Sequence, residues 1–147
     1  MTQSVIESST VATGATVGPF AHLRPNSHLG QDVHIGNFVE VKNSTLGAGV
    51  KSGHLTYIGD ADLGRDINIG CGTIFVNYDG KKKHRSTVGD QAFIGCNANI
   101  VSPVKIGDQT FIAAGTTVTR DVPDQALAIS RVKQVNIPNY WQKFSKK

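Results

Sequence analysis

Cysteine, aromatic residues and long apolar runs are all scarce in this chain of 147 residues. Two cysteines, Cys71 and Cys96, are too few for a disulfide framework, and no apolar run is long enough to span a membrane. The polar opening residues lack the basic and apolar regions of a signal peptide. We therefore expect a cytoplasmic protein without a membrane span.

The scarcity of aromatic residues also argues against nucleic-acid binding. The net charge is +4, but the aromatic residues make up only 7% of the chain and are not interleaved with the basic ones. A zinc site is disfavoured as well, because His22, His28 and His34 recur every six residues and would point in different directions. We expect no metal, and the basic residues suit a small phosphorylated ligand better than a nucleic acid.

One short pattern repeats from Val11 to Pro123: an aliphatic residue, commonly followed by Gly or Ala, two variable positions, and a small or β-branched residue. Examples are VGPFAH, LGQDVH, IGNFVE, IGCNAN and IGDQTF. An apolar residue every six positions fits neither the 3.6-residue period of a helix nor the alternation of a half-buried strand. It fits a parallel β-solenoid with three short strands per coil, each placing one aliphatic side chain inside a prism.

Irregularities in the repeat predict the rest of the architecture. Two hexads that lack one residue, 41–45 and 58–62, indicate corner deletions without loss of register. The stretch 78–87 has no core aliphatic residue and is predicted to project as a loop. The repeat ends at Pro123, so we expect a solenoid domain over 1–123 and a tail over 124–147 that packs on a neighbouring subunit, because flat solenoid sides and open ends favour oligomers.

Counting every third hexad places one ladder of small side chains on the outside of the prism. The hexads that begin at Val17, Ile35, Ser52, Ile69, Ile94 and Ile112 share a face, and their third residues are Pro19, Asn37, His54, Cys71, Cys96 and Ala114. Three coil spacings of about 4.8 Å separate His54 from Ala114, which gives a shallow groove of roughly 14 Å. Such a groove suits an extended, thin ligand.

A second alignment predicts a phosphate site. Arg24 and Lys42 occupy the same slot one coil apart, and we expect Tyr57 at the corner between their column and that of His54. Arginine binds oxyanions with two parallel hydrogen bonds, and lysine adds a point charge. The prediction is that these groups meet at one corner beside His54.

Several motifs resemble a known family. The strings GPFAHLRP, GNFVEVK, GHLTYIGDA, NIGCGTIFVNYDG, IAAGTTVTRDVP and ALAISR are similar to the acetyltransferase domain of the bacterial bifunctional N-acetylglucosamine-1-phosphate uridyltransferase/glucosamine-1-phosphate N-acetyltransferase, a hexapeptide-repeat acyltransferase. The similarity runs from about Val11 to Arg131. It implies a left-handed parallel β-helix that forms a homotrimer with active sites between subunits.

The resemblance also implies a reaction and its residues. The reaction is acetyl-CoA-dependent N-acetylation of glucosamine-1-phosphate, with His54 as general base and no metal. Residues matching those that bind the sugar phosphate or line its site are Arg24, Lys42, Tyr57, Asn68, Lys83, Asn77 and Tyr78. Residues matching those that contact acetyl-CoA are Cys71, Cys96, Ala114 and Arg131. Imidazole suits the base because an amino sugar must lose a proton before its nitrogen can attack the thioester.

Two departures from the family leave alternatives open. Cys71 and Cys96 replace the usual small residues, and one coil of separation would permit a disulfide or a cysteine nucleophile, although no basic partner for a thiolate is evident. No nucleotidyltransferase signature precedes Val5, so the chain is not expected to make a UDP-sugar. The alternatives are an acyltransferase for another amine or hydroxyl acceptor and a structural solenoid without catalysis.

Overall fold

A computed structural model describes residues 3–145, so residues 1–2 and 146–147, at the ends of the two predicted segments, lie outside the described residues. The described chain consists of short strands, with one turn of 3-10 helix, Tyr140–Lys143, near its C-terminal end. The strands are β1 (Val5–Ile6), β2 (Thr10–Val11), β3 (Thr16–Val17), β4 (His22–Leu23), β5 (His28–Leu29), β6 (His34–Lys42), β7 (Thr45–Leu46), β8 (Lys51–Gly59), β9 (Ala61–Leu63), β10 (Asn68–Ile69), β11 (Ile74–Val76), β12 (Ser86–Val88), β13 (Phe93–Ile94), β14 (Asn99–Val101), β15 (Lys105–Ile106), β16 (Phe111–Ile112), β17 (Thr117–Val118) and β18 (Leu127–Ala128).

These strands pair in parallel and form three faces of a solenoid, as the six-residue period predicts. Face A contains β3, the first part of β6 and of β8, and then β10, β13, β16 and β18. Face B contains β1, β4, the second part of β6 and of β8, and then β11, β14 and β17. Face C contains β2, β5, β7, β9, β12 and β15.

The core is a set of aliphatic columns inside the prism. On face A the column pairs Val17 with Ile35, Ile69 with Ile94 and Ile94 with Ile112, so the predicted shared face is confirmed. Ser52 occupies the same column between Ile35 and Ile69 and is fully buried. Each coil contacts only its neighbours, so burial of these columns stabilises the stack coil by coil.

The strands β6 and β8 continue around the corner from face A to face B. The turn is made at Phe38 and Leu55, which have φ values of +60° and +47°. Gly36, just before the first of these turns, lies so close to the next coil that a Cβ would overlap the carbonyl oxygen of Gly53. Glycine is therefore required at this point of close backbone approach.

Both the shortened hexads and the projecting loop lie at the corner between faces B and C. Leu46 pairs with Leu29 and with Leu63, so the two shortened hexads keep the register, as predicted. The extra residues of the longest coil leave the stack after β11 and return at β12. Within this loop Tyr78 and Lys83 form an antiparallel bridge, which makes the projecting segment a small hairpin.

The solenoid extends beyond the predicted boundary at Pro123. Val122 bridges to Ile106 on face C, and Leu127 and Ala128 pair with Phe111 and Ile112 on face A. The aliphatic pattern is weaker here because Leu127 points outward and the small Ala128 occupies the inward slot. Residues 129–145 are exposed, and they include Val132, Ile137, Trp141 and Phe144.

Candidate functional site

The predicted ladder lies on the corner between faces A and B. Asn37 pairs with His54, and the next rungs follow through hydrogen bonds from the Asn97 amide to the Cys71 carbonyl (2.8 Å) and from the Gly115 amide to the Cys96 carbonyl (2.8 Å). His54 is exposed, and both cysteines are free. The structure thus stacks the small side chains in line below the imidazole, one per coil.

Arg131 reaches the far end of this ladder. Its Nη1 donates to the carbonyl oxygen of Ala114 at 2.9 Å, and the preceding amide, that of Ser130, donates to Thr116 Oγ1 at 3.3 Å. The segment after β18 therefore turns back along the corner. This places a guanidinium beside Ala114, a position that the family resemblance assigns, like the two cysteines, to acetyl-CoA binding.

The predicted cations lie on face B. Lys42 pairs with Gly59, which follows His54 by five residues along β8, with the turn at Leu55 between them. Tyr57 does not lie at the corner where the sequence placed it, because it stands in the middle of face B, paired with Glu40 of the preceding coil. The backbone of His54 and that of Lys42 lie toward opposite edges of this face, with Tyr57 between them.

Arg24 is held in place by a carboxylate on its own face. Its Nη1 donates to Glu40 Oε1 at 2.9 Å, and this contact raises the pKa of Arg24. Both side chains are about two-fifths exposed. A guanidinium has five N–H donors, so donors remain for an anion after one of them binds Glu40.

Lys42 and Lys83 come together although they lie 41 residues apart in sequence. The loop carries Lys83 back onto face B, close enough to Lys42 for the two amines to interact. This contact, assisted by partial burial, lowers the pKa of Lys42. Two like charges that lie close together indicate a site that an anion would stabilise.

The loop is held by hydrogen bonds at both ends. Asp79 accepts from the backbone amides of Lys81 and Lys82, each at 2.7 Å, and pairs with His84 at 2.6 Å. The amide of Lys82, followed by His84 and the Lys81 amide, lowers the pKa of Asp79 to about 2. At the other end Arg85 forms a bidentate pair with Asp62 on face C, so the position of Lys83 is set from two sides.

Tyr57 is connected to the loop through a buried amide. Asn77 Nδ2 donates to Tyr57 Oη at 3.2 Å and to Asp60 Oδ2 at 2.6 Å. Gly59 makes this possible, because a Cβ there would overlap the Tyr57 phenol and crowd the Asn77 amide. Sequence reasoning missed Gly59 and Asp60, since neither a glycine nor an aspartate at a solenoid corner signals a ligand site.

Two predicted residues lie apart from this cluster. Asn68 is exposed on face A, paired with Lys51 and Phe93, and one subunit does not bring it to the cations of face B. Tyr78 is exposed at the start of the loop, and its hydroxyl donates to the Gly80 carbonyl at 2.8 Å.

Within residues 3–145 no group of three or more His, Cys, Asp or Glu side chains is arranged to hold a metal ion. The three histidines that recur in the first coils lie on different faces, as predicted, at His22 on face B, His28 on face C and His34 on face A. In the same part of the chain, no helix combines the length and apolar character needed to cross a membrane.

Comparison with known proteins places this geometry in a family. A model described as bacterial transferase hexapeptide (six repeats) matches residues 85–120. The chain is 62% identical over 133 residues to the bifunctional protein GlmU of Caldicellulosiruptor saccharolyticus, and 62% identical over 143 residues to that of Levilactobacillus brevis. The chain belongs to the hexapeptide-repeat acyltransferases. These matches cover 90% and 97% of the chain but only 29% and 31% of the two GlmU proteins.

The fold itself is similar to that of solved acetyltransferases. PerB of Caulobacter crescentus, solved in complex with CoA and GDP-perosamine, matches with a TM-score of 0.71 and 28% identity, over 79% of this chain and 54% of PerB. The acetyltransferase domain of PglB from Neisseria gonorrhoeae matches with a TM-score of 0.70 and 21% identity, over 77% of this chain and 53% of that chain. The second match concerns the fold alone.

Proposed function

We propose that this chain transfers the acetyl group of acetyl-CoA to the amine of glucosamine-1-phosphate. The observation that carries the proposal is the group of three cations on face B: Arg24, which also binds Glu40, Lys42 one coil later, and Lys83, which the loop brings close to Lys42. The 62% identity to the bifunctional GlmU proteins, over 90% and 97% of the chain, supports the substrate that the quoted motifs imply.

The phosphate would be bound at the edge of face B next to the loop. Arg24 offers a fork of N–H donors, Lys42 and Lys83 offer ammonium groups, and Tyr57 offers a hydroxyl. A phosphate dianion would attract both ammonium groups and offset the repulsion between them. Asn77, next to Tyr57, is buried and would hold the phenol, while Tyr78 would line the loop side.

The chemistry would take place at His54. In glucosamine-1-phosphate the amine is on the carbon next to the one that carries the phosphate, so the exposed His54 imidazole would have to reach over face B to the amine of a sugar bound by the cations. The amine loses a proton to the His54 imidazole and forms an amide bond with the acetyl carbon, while the C–S bond breaks and the imidazolium returns the proton to the leaving thiolate, so CoA departs as the thiol. The ladder of Cys71, Cys96 and Ala114, with Arg131 at its end, would hold acetyl-CoA along the corner. No metal takes part in this step.

A second copy of the chain would complete the site. The outward positions of face C are polar, at Thr10, His28, Thr45, Asp62, Thr87 and Lys105, whereas faces A and B present exposed Phe93, Phe111, Ile74 and Val76. Such an apolar surface favours association through faces A and B. A homotrimer packed in this way would bring Asn68 of one copy to the cations of another.

A second candidate acceptor is a nucleotide-linked amino sugar. The PerB structure contains GDP-perosamine and is similar to this chain over 79% of its length. The same three cations would then bind a diphosphate.

The deciding experiment is an acetyl-transfer assay with purified protein and three acceptors: glucosamine-1-phosphate, glucosamine and GDP-perosamine. We expect glucosamine-1-phosphate to be preferred over the unphosphorylated sugar by at least 100-fold in kcat/KM, the value of one or two charge-assisted hydrogen bonds. Equal rates with and without the phosphate would contradict the proposal, and a preference for GDP-perosamine would favour the second candidate.

The base is tested separately by His54→Ala. Turnover should fall by about 10²–10⁴-fold, the usual contribution of a positioned general base, with little change in acetyl-CoA affinity. Activity within a few-fold of the original protein would exclude His54 from that role.

A further inference from the structure

Asp60 differs from the other acidic side chains of the described residues because it is buried. It is 6% exposed, whereas Asp32 and Asp66, which share its left-handed backbone conformation, are exposed at another corner. A carboxylate out of water is costly unless hydrogen bonds replace its hydration. The hydrogen-bond partners of Asp60 therefore indicate what compensates for its burial.

Both oxygens of Asp60 accept hydrogen bonds from amides. Oδ1 accepts from Asn43 Nδ2 on the preceding coil at 2.5 Å, and Oδ2 accepts from Asn77 Nδ2 at 2.6 Å. The backbone of Asp60 is fixed as well, since its amide donates to the Lys42 carbonyl (3.0 Å) and its carbonyl accepts from the Ser86 amide (3.1 Å). The carboxylate is thus a rigid acceptor beneath the cation cluster.

A carboxylate has no hydrogen to donate, and this determines the direction of the next bonds. Asn77 must present its NH₂ group to Asp60, so the other hydrogen of that group points to Tyr57 Oη, 3.2 Å away. Because Tyr57 Oη receives this hydrogen, its own O–H hydrogen is free to point outward. The outward direction is toward the side of face B that carries Arg24 and Lys42.

We propose that Asp60 is a positioning residue that fixes the direction of the Asp60–Asn77–Tyr57 hydrogen-bond chain, so that the Tyr57 hydroxyl is always a donor to the acceptor's phosphate. This inference rests on the proposed phosphate site but not on acetyl transfer. It assigns to Asp60 a role that requires no contact with the ligand. Its charge also favours the protonated form of Lys42 and so acts in the same sense.

Two double variants exchange an aspartate and an asparagine within this group. Both keep side-chain shape, composition and net charge, but they affect the direction of the hydrogen-bond chain differently. In Asn43→Asp/Asp60→Asn, the new carboxylate at 43 accepts from the new amide at 60, whose oxygen still accepts from Asn77, so the direction is preserved. In Asp60→Asn/Asn77→Asp, the carboxylate at 77 accepts from the Tyr57 hydroxyl, so the direction is reversed. Asp32→Asn is the control for replacing an aspartate in the same backbone conformation.

The measurement is the factor by which Tyr57→Phe raises the Kd for glucosamine-1-phosphate, determined by calorimetry. It is made in the unmodified protein and in each variant, and this factor is called the cost of Tyr57→Phe. We expect Tyr57→Phe to weaken binding about tenfold in the unmodified protein, in the Asp32→Asn control and in the direction-preserving exchange. In the direction-reversing exchange the cost should be less than twofold, because the hydroxyl already donates to position 77. Comparing Tyr57→Phe within one background removes the effect of moving a charge nearer to the phosphate.

An equal cost of Tyr57→Phe in every background would overturn the inference. If circular dichroism shows that an exchange does not fold, the single variant Asp60→Asn decides, since the cost of Tyr57→Phe must be smaller there than in the unmodified protein. Glucosamine-1-phosphate that binds with this pattern but is not acetylated would contradict the proposed function while supporting the inference. Failure of the unmodified protein to bind it would overturn both.

Discussion

At the scale of single residues, Ser52 is an exception in the core. Its hydroxyl is buried between aliphatic residues and is the one buried side-chain oxygen or nitrogen in residues 3–145 without a hydrogen-bond partner. An unpaired buried hydroxyl lowers the free energy of unfolding, because it gives up its hydrogen bonds to water and forms none in the fold. Ser44 is equally buried, but its hydroxyl donates to the Lys42 carbonyl and accepts from the Ala61 amide.

These two serines make a matched pair for a stability measurement. Ser52→Ala should raise the free energy of unfolding by about 1 kcal/mol because it removes an unpaired polar group. Ser44→Ala should lower it by about 1–3 kcal/mol because it leaves its partners unpaired. Urea midpoints at a fixed protein concentration measure both, and a destabilisation by Ser52→Ala comparable to that of Ser44→Ala would contradict the expectation.

The lysine pair predicts a specific pH dependence. The pKa of Lys42 is lowered from 10.5 by contact with Lys83, so its ammonium loses its proton at a lower pH than an ordinary lysine. Phosphate binding favours the protonated form, and the KM for a phosphorylated acceptor should therefore begin to rise with pH below 10.5. In Lys83→Ala the pKa of Lys42 returns toward its ordinary value, and the alkaline rise should move to higher pH, although KM at neutral pH is larger. An unchanged alkaline limb in the variant would exclude the lysine contact as its cause.

At the scale of elements, the turn from face A to face B depends on one close backbone approach. Gly36→Ala would force a Cβ into the Gly53 carbonyl, and the coil would have to move, at a cost of about 2–4 kcal/mol in the free energy of unfolding. Gly53→Ala occupies the same slot one coil later, where a Cβ would meet no atom within 4 Å, and should change stability by less than 1 kcal/mol. Chemical denaturation of both variants checks the difference, and equal effects would refute it.

The loop shows why the sequence predicted the fold better than the site. The six-residue period locates each inward side chain, so the three faces and the projecting segment follow from counting. The repeat pattern does not predict that Asp60 is buried, because aspartates at comparable corner positions, Asp32 and Asp66, are exposed. Asp60 becomes buried only because Asn77 and Ser86, at the two ends of the loop, close over it.

The same limit explains why Tyr57 lies in the middle of face B rather than at the corner. The repeat correctly aligns Arg24 with Lys42, but β8 turns the corner just after His54 and runs across face B before it reaches the partner of Lys42. Lys83 reaches that edge through the loop, and no period connects the two lysines. Register is periodic in this chain, whereas the contacts of the insertion are not.

At the scale of the whole molecule, the distribution of exposed side chains predicts self-association. Phe93 and Phe111 stack on face A with ring centroids 4.6 Å apart, and they are 41% and 48% exposed in one copy. If faces A and B are interfaces, the midpoint of thermal unfolding should rise with protein concentration, because association stabilises only the folded state. Sedimentation should give three copies per particle.

Phe111→Lys tests this surface directly. A charge in the centre of an apolar interface should reduce the assembly to smaller species and lower the unfolding midpoint at a given concentration. His28→Lys on the polar face C is the control and should leave the assembly intact. Dissociation by His28→Lys, or an unaffected assembly in Phe111→Lys, would place the interface elsewhere.

The hairpin between β11 and β12 has a practical consequence. Asn68 pairs with Phe93, 25 residues later, whereas Lys51 pairs with Asn68 after 17, and yet both pairings keep the same ladder. The chain therefore leaves and re-enters the stack without disturbing the coils on either side. A fluorescent reporter attached at the exposed Lys81, two residues before Lys83, would sit close to the phosphate-binding lysine and signal occupancy while the prism remains unaltered.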